Sequence, residues 1–184
     1  MRNTFILILI CNSLILFGQT NTKNQWKKIE EENAKKQDSL LNKKAPGFHC
    51  KDESGNIFDL GQLKGKVVVI NFWATWCGPC KKEMPELNKL VQEFKSDTNV
   101  VFISFCRNWD PQKIEMKNLL GENAFNYNII SSKYSEKVSK DYFASTIPTN
   151  GVINKNGELV SLKTGYFPRV AAVMRKAIQN SLKN

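Results

Sequence analysis

The chain has 184 residues, of which 41% are hydrophobic and 24% are charged, a composition suited to one globular domain with its own core. Its formal net charge is +10, and the lysines that produce it are scattered over helix-like and terminal stretches. The sequence has neither a basic patch interleaved with aromatic residues nor a nucleic-acid reader motif. The charge therefore indicates a solvated surface and argues against a nucleic-acid-binding protein.

Residues 1–18 have the pattern of a secretory signal peptide. Arg2 supplies the positive start, and the apolar stretch over residues 5–17 is shorter than the roughly 20 residues that a membrane span needs. We predict cleavage after Gly18, and an anchor retained in the membrane is the alternative. Export would place the chain in the periplasm or cell envelope, an oxidising compartment where disulfides are stable.

Residues 19–43 are polar and charged, and they predict a tether or a loose helix outside the core. The domain is expected over residues 44–184. It begins with a predicted hairpin of two short strands at residues 48–50 and 57–58. A brief helical turn at residues 59–64 and a buried β-branched strand at residues 67–72 follow. After Cys77, apolar residues recur at spacings of three and four through Phe94, which predicts a helix that Pro85 should kink.

The second half of the chain continues with strands and helices. We predict a buried strand at residues 99–106 and helices at residues 111–120 and 133–143. A β-hairpin at residues 152–162 and a closing amphipathic helix at residues 168–182 complete the domain. Parallel strands joined by helices, with an antiparallel pair at the edge, form an α/β sandwich that has helices on both faces of a mixed sheet.

The sequence Cys77-Gly78-Pro79-Cys80 directly follows the buried β-branched strand and an aromatic stretch. A helix that starts at Cys77 directs its unpaired amides and its positive dipole end at that sulfur, which favours the thiolate and lowers the pKa of Cys77 from about 8.5 toward neutrality. Cys80 lies one turn later on the same side, within disulfide reach. Cys77 is therefore the predicted exposed nucleophile that forms a mixed disulfide, and the less exposed Cys80 would resolve it.

A zinc site and a plain structural disulfide are the alternatives for this motif. Zinc usually needs a second pair of cysteine or histidine ligands, and His49 is the single histidine of the chain. We therefore predict redox chemistry for the dithiol, with no metal and no other cofactor.

The segment from Phe72 to Pro85 contains Phe-Trp-Ala-Thr-Trp-Cys-Gly-Pro-Cys-Lys-Lys-Glu-Met-Pro. It resembles the active-site segment of the thioredoxin superfamily, and most of all that of the exported TlpA/ResA-like thiol-disulfide oxidoreductases. The likeness covers about residues 45–182, including Ala45-Pro46-Gly47-Phe48 and Ile147-Pro148-Thr149. It implies a thioredoxin-like three-layer sandwich, with a central mixed sheet and an N-terminal β-hairpin.

The resemblance implies further site residues. Pro148 matches the family's cis-proline beside the disulfide, and Ile147 would face the thiol. Asn71 stands where cytoplasmic thioredoxins carry a buried aspartate, and Glu83 matches the glutamate that exported relatives use instead as proton acceptor for Cys80. A solvated glutamate on the helix face is the alternative for Glu83. The implied substrate-binding residues are Trp76, Gly78, Pro79, Ile147 and Pro148.

The chain departs from the family pattern at two places. Asn150 and Gly151 follow the proline–threonine pair where relatives usually continue with an apolar residue, so we expect a loosened start of that strand. Cys106 ends a parallel strand, at the edge where α/β folds place their sites. It is interpreted as an inert thiol, with a third redox group and a structural disulfide to Cys50 as the alternatives.

The resemblance implies an envelope enzyme that accepts electrons from a membrane partner and reduces protein disulfides, with apocytochrome c haem-motif cysteines among its substrates. Gly78 and Pro79 resemble the pair found in reducing thioredoxins, which favours reduction over disulfide donation. A disulfide-donating oxidase or isomerase and a non-catalytic binding domain of the same fold are the alternatives. We expect a monomer that acts on the thiols and disulfides of other proteins.

Overall fold

The computed structural model describes residues 25, 27–52, 54–110 and 126–183. The chain divides into two compact units, residues 1–36 and residues 37–184. Residues 27–40 are helical and form α1. The side chains of α1 in the first unit are mostly exposed, and Lys36 forms a surface ion pair with Glu32. This part of the helix therefore buries little apolar surface, as its polar sequence predicts.

The second unit contains a short hairpin and a five-stranded sheet. The hairpin consists of β1 (His49–Lys51) and β2 (Ile57–Asp59), which pair in antiparallel fashion. A 3₁₀ turn at Leu60–Leu63 follows, and the Asp59 side chain accepts the Gly61 N–H at its start. The strands of the sheet are β3 (Val67–Trp73), β4 (Val100–Cys106), β5 (Asn128–Ile130), β6 (Thr149–Ile153) and β7 (Leu159–Thr164).

The five strands of the larger sheet lie in the order β5-β4-β3-β6-β7. β3, β4 and β5 are parallel to one another, whereas β6 is antiparallel to β3 and β7 is antiparallel to β6. All seven residues of the central strand β3 are buried, as its continuous β-branched run predicts. The predicted mixed sheet is confirmed, and β5 is a further strand that the sequence analysis did not identify.

Helices cover both faces of the sheet. They are α2 (Gly78–Glu93), α3 (Ser132–Asp141) and α4 (Val170–Lys183). Because successive side chains of a strand point to opposite faces, β3 contributes to two hydrophobic clusters. Val69 lies in one cluster with Leu87 of α2 and Met174 of α4. Ile70 lies in the other cluster with Val138 of α3, so the sheet has a hydrophobic core on each of its two faces.

The start of β6 corrects one expectation. This strand begins directly after Pro148 and all five of its residues are buried, so the prediction that Asn150 and Gly151 loosen it is wrong. A Cβ atom on Gly151 would lie 2.9 Å from Cγ1 of Ile70 and 3.1 Å from Cδ1 of Leu162. Glycine therefore allows the neighbouring side chains to approach the backbone of β6 closely.

Residues 37–43, which the sequence analysis assigns to the tether, contact other parts of the second unit. The Gln37 side chain is buried and donates to the carbonyl of Phe143 at 2.9 Å. The backbone N–H of Asn42 donates to the carbonyl of Leu159 at 2.8 Å. These bonds attach the chain to the sheet before β1 begins.

Helices α3 and α4 lie where the sequence predicts helices at residues 133–143 and 168–182. The predicted helix at residues 111–120 and the predicted signal peptide at residues 1–18 lie outside the described residues. Within the ranges that the structure describes, no helix is both long enough and apolar enough to span a membrane.

Candidate active site

Cys77 and Cys80 form a disulfide at the start of α2, with their Cα atoms 5.3 Å apart. Cys77 is the N-cap of the helix, and its Sγ accepts the backbone N–H of Cys80 at 3.2 Å. Pro79 lies in the first turn of α2, where backbone N–H groups have no partner within the helix, so its missing N–H removes no helical hydrogen bond. The predicted helix start at the dithiol is confirmed, and it directs backbone donors at the sulfur of Cys77.

The two sulfurs are less accessible than the sequence suggested. Cys77 is only 3% exposed and Cys80 is 1% exposed, so the prediction of an exposed nucleophile is wrong for this disulfide form. Both belong to the hydrophobic cluster that contains Trp73 and Trp109. Large aromatic groups from β3 and from the segment after β4 thus share a hydrophobic cluster with the disulfide.

The loop before the dithiol is held by hydrogen bonds from the far side of the site. The backbone N–H of Thr75 donates to Oδ1 of Asn108 at 2.9 Å, and Nδ2 of Asn108 donates to Oγ1 of Thr75 at 2.6 Å. The neighbouring Arg107 donates from Nη1 to the carbonyl of Ser145 at 2.9 Å. The segment after β4 therefore fixes both the Cys77 loop and the segment that leads into β6.

Pro148 lies at the same edge of the sheet as the dithiol. The Ile147–Pro148 peptide bond is cis, as the resemblance implies. Thr149, the first residue of β6, pairs with Phe72 near the end of β3, and β3 leads directly into the Cys77 loop. The carbonyl of Pro148 accepts the N–H of Gly165 at 2.8 Å, so β7 holds this turn in place.

The other predicted substrate-binding residues are Trp76, Gly78 and Pro79 beside the dithiol in sequence and Ile147 before Pro148, and they differ in exposure. Trp76 is 71% exposed, and Gly78 and Pro79 are also exposed. Ile147 is half-buried and contacts the hydrophobic clusters on both sides of the sheet. An exposed indole beside a nearly buried disulfide offers a partner protein an apolar contact next to the reactive sulfur.

Glu83 is buried one helical turn after Cys80, and its side chain points into the protein. It is 1% exposed, which excludes the alternative of a solvated glutamate on the helix face. Its Oε1 accepts Nδ2–H groups from Asn150 at 3.0 Å and from Asn71 at 3.3 Å. Burial raises the pKa of Glu83 to about 7, while these two hydrogen bonds act in the opposite direction. The carboxyl group can therefore exchange a proton near neutral pH.

Asn150 is the site residue that the sequence analysis missed. It is fully buried in β6, and its Oδ1 accepts Nδ2–H of Asn71 at 2.9 Å. Ser104 of β4 completes the network, because its hydroxyl donates to Oδ1 of Asn71 at 3.3 Å. The available signal was an asparagine shortly before the apolar pair Val152-Ile153, since an amide buried in a strand requires polar partners.

Within the described part of the chain, the two cysteines outside the disulfide are free thiols on opposite faces of the sheet. Cys50 and Cys106 are both fully buried, and they belong to different hydrophobic clusters. The alternative of a disulfide between them is therefore wrong. Burial raises the pKa of each thiol to about 12, so neither forms a thiolate near neutral pH and Cys106 is unsuited to act as a third redox group.

Comparison with known proteins agrees with this geometry. The Redoxin family profile matches residues 40–178. Thiol-disulfide oxidoreductase ResA of Bacillus thuringiensis (strain Al Hakam) is 35% identical over 127 residues, which cover 69% of this chain and 71% of the relative. Thioredoxin-like protein YneN of Bacillus subtilis (strain 168) is 30% identical over 125 residues, covering 68% and 72%.

Solved structures show the same fold. StoA from Bacillus subtilis matches with a TM-score of 0.58 at 25% identity, covering 71% of this chain and 95% of StoA. A thiol:disulfide interchange protein from Chlorobium tepidum TLS matches with a TM-score of 0.60 at 24% identity, covering 75% and 94%. Together with the Cys77–Cys80 disulfide, these matches establish that the chain belongs to the Redoxin family and is a thiol-disulfide oxidoreductase with a thioredoxin-like fold.

Proposed function

We propose that this oxidoreductase reduces disulfides in other proteins, with Cys77 as the attacking residue and Cys80 as the resolving residue. The observation that carries the proposal is a disulfide at the N-cap of α2 with a buried carboxyl group one turn behind it. The N-terminal amides of the helix favour a thiolate at Cys77. Glu83 supplies a proton acceptor within the same helix.

The reaction proceeds in two exchange steps. In the reduced enzyme the Cys77 thiolate attacks a substrate disulfide, forms a mixed disulfide and releases one substrate thiolate. Cys80 then gives its proton to Glu83 and attacks the Cys77 sulfur. The Cys77–Cys80 disulfide forms as the second substrate thiolate leaves, so two electrons pass from the enzyme to the substrate. A dithiol partner must return these electrons in the reverse sequence.

The substrate segment binds across Trp76, Gly78, Pro79, Ile147 and Pro148. The cis-proline turn adjoins the end of β3 and leaves an edge at which an extended peptide can lie beside Cys77. Trp76 provides exposed aromatic surface next to this edge. The resemblance to the TlpA/ResA-like oxidoreductases implies such a substrate, so the haem-motif cysteines of apocytochrome c are our candidate.

Location and partners form part of the same proposal. A signal peptide at residues 1–18 and a tether at residues 19–43 would present the domain at residues 44–184 outside the cytoplasm, in the periplasm or cell envelope. A reducing dithiol in an oxidising compartment needs a supply of electrons, so we propose a membrane-bound electron donor. The protein is proposed to act as a monomer, since each chain carries both exchanging sulfurs.

The reduction potential of the Cys77–Cys80 couple tests the direction of electron flow. Equilibration with glutathione or dithiothreitol buffers, followed by alkylation and mass spectrometry, measures it directly. A value near the thioredoxin potential of about −270 mV supports a reductase. A value near about −120 mV, typical of a strong oxidant, would replace the proposal with the disulfide-donating alternative.

Trapping on a Cys80→Ala variant tests the roles of the two sulfurs. Incubated with a disulfide-containing apocytochrome c peptide, this variant should accumulate a mixed disulfide through Cys77, because the resolving sulfur is missing. Cys50→Ala serves as the matched control, since it removes a buried thiol of the other cluster and should trap nothing. A mixed disulfide on any other cysteine would contradict the assignment of Cys77.

A further inference from the structure

We propose that Asn150 is a positioning residue: with Asn71 it confines the hydrogen-bond donors to Oε1 of Glu83, so that Oε2 accepts the proton of Cys80. This inference rests on the proposed role of Glu83 as proton acceptor. It adds which of the two carboxyl oxygens takes the proton and which residue positions the carboxyl group.

The distances define an asymmetric carboxyl group. Oε1 of Glu83 accepts two N–H bonds, from Nδ2 of Asn150 at 3.0 Å and from Nδ2 of Asn71 at 3.3 Å. Oε2 is buried and has no hydrogen-bond partner among the described residues. One oxygen therefore accepts two donors, while the other is buried without any donor.

The donor pattern fixes how both amides must be turned. An ionised carboxylate accepts only, so each amide has to direct its NH₂ group and not its oxygen at Glu83. Asn71 then uses its second N–H to reach Oδ1 of Asn150 at 2.9 Å, and its own Oδ1 accepts the hydroxyl of Ser104 at 3.3 Å. Every bond in this chain of groups is compatible with the others, so the network holds one arrangement.

This arrangement lets the proton move without breaking a hydrogen bond. When Cys80 is deprotonated during resolution, the proton passes to Oε2, and both N–H bonds to Oε1 are retained in the charged and in the neutral carboxyl group. When electrons are returned to the disulfide, Oε2 gives the proton back to the Cys80 thiolate. Because no partner has to turn, the step needs little reorganisation of the site.

Among the described residues, no charged side chain contributes to the shift in the pKa of Glu83. Cys77 and Cys80 are on its own helix, and they do not titrate in the disulfide form. Tyr127 faces it from the segment before β5, where burial, and secondly the charge of Glu83, raise the pKa of the tyrosine. Asn71, Asn150 and Ser104 carry no charge. The pKa of Glu83 is thus set by burial and by the two amide donors.

The test is a titration of Glu83 in the oxidised protein, followed by NMR of a ¹³C-labelled side-chain carboxyl group. Asn150→Leu keeps the number and branching of the side-chain heavy atoms and removes one donor, and we expect it to raise the pKa of Glu83 by about one pH unit. Asn150→Asp keeps the shape and places a second carboxyl group against Oε1. That pair should titrate in two steps, with the upper step above the pKa of the parent protein.

Asn154→Ala is the matched control, because it removes an asparagine just beyond β6 whose side chain bonds to the Glu158 turn. It should leave the titration of Glu83 unchanged even if it lowers stability. An unchanged titration in both Asn150 variants would overturn the inference. Should the leucine variant not fold, the isosteric Asn150→Asp decides.

A separate measurement distinguishes this inference from the proposed function. The rate at which Cys80 resolves a preformed mixed disulfide should fall at least about tenfold in Glu83→Gln, because the proton acceptor is lost. An unchanged rate would overturn the role of Glu83 and with it the proton path through Oε2. A lowered rate combined with unchanged titrations in the Asn150 variants would overturn the role of Asn150 alone.

Discussion

Replacing Glu83 by glutamine should change how the stability of the oxidised protein depends on pH. Burial raises the pKa of Glu83 from 4.5 to about 7 on folding. Between these two values the folded protein holds a proton that the unfolded chain has released, so stability falls as the pH rises. The contribution is fully present below about 4.5, and it is lost once the pH passes about 7.

The size of this effect follows from the two pKa values. Their difference, at about 1.4 kcal/mol per pH unit, corresponds to about 3 kcal/mol of the free energy of unfolding. Glutamine does not titrate, so Glu83→Gln should lack this loss. Its NH₂ group would take the place of Oε2 and add a cost that is the same at every pH. The pH dependence and not the absolute stability is therefore the quantity to compare.

Urea unfolding of the oxidised parent and variant at about pH 4.5 and about pH 8 measures the difference. The stability lost between these two pH values should be smaller in Glu83→Gln by about 3 kcal/mol. Glu86→Gln is the matched control, because Glu86 lies on the exposed side of the same helix in an ion pair with Lys89. Equal pH dependence in the parent and in Glu83→Gln would refute the reasoning.

Two further outcomes test other parts of the structure. Gly151→Ala should lower the free energy of unfolding by about 1–3 kcal/mol, because its Cβ would lie 2.9 Å from Cγ1 of Ile70. Gly47→Ala, which meets no atom within 4 Å, should cost much less in the same denaturant titration. Cys50 and Cys106, whose pKa burial raises to about 12, should resist iodoacetamide until urea is added. Stoichiometric labelling of the native protein, detected by mass spectrometry, would contradict this.

The sequence predicted the parts of the fold whose cause is local. The β-branched run of β3 indicates a strand buried on both faces whatever its partners are, and Cys77 precedes a helix because apolar residues recur at helical spacing. β5 contains only three residues, Asn128–Ile130, so no periodicity can identify it. It exists because β4 offers it a parallel partner, which is a long-range contact.

The candidate site was predicted to a similar extent. The spacing of Cys77, Cys80 and Glu83 is local, and it locates the disulfide and the buried carboxyl group in the first turns of α2. One partner of Glu83 is distant in the sequence, since Asn150 lies 67 positions after Glu83. Asn150 also bonds to Asn71 over 79 positions. A sequence pattern reveals that Asn150 is polar, but the amide pairing depends on β3 and β6 being neighbours.

The low exposure of Cys77 also depends on contacts between parts of the chain that are distant in sequence. A helix start predicts where the amides point, but it does not determine what covers the sulfur. Trp73 and Trp109, which lie in the same cluster as the disulfide, come from β3 and from the segment after β4. Their packing against the dithiol follows from the order of strands in the sheet and not from the motif itself.

The asymmetry of the Glu83 carboxyl group accounts for a pKa that suits proton exchange. A buried carboxyl group with no donors would stay neutral, and one with donors on both oxygens would stay charged. Here burial of both oxygens favours the neutral form, while two amide bonds to Oε1 alone favour the charged form, and the result is a pKa of about 7. The unpartnered Oε2 has a stability cost above neutral pH. In the mechanism that we propose, the same oxygen takes a proton from Cys80 and later returns it.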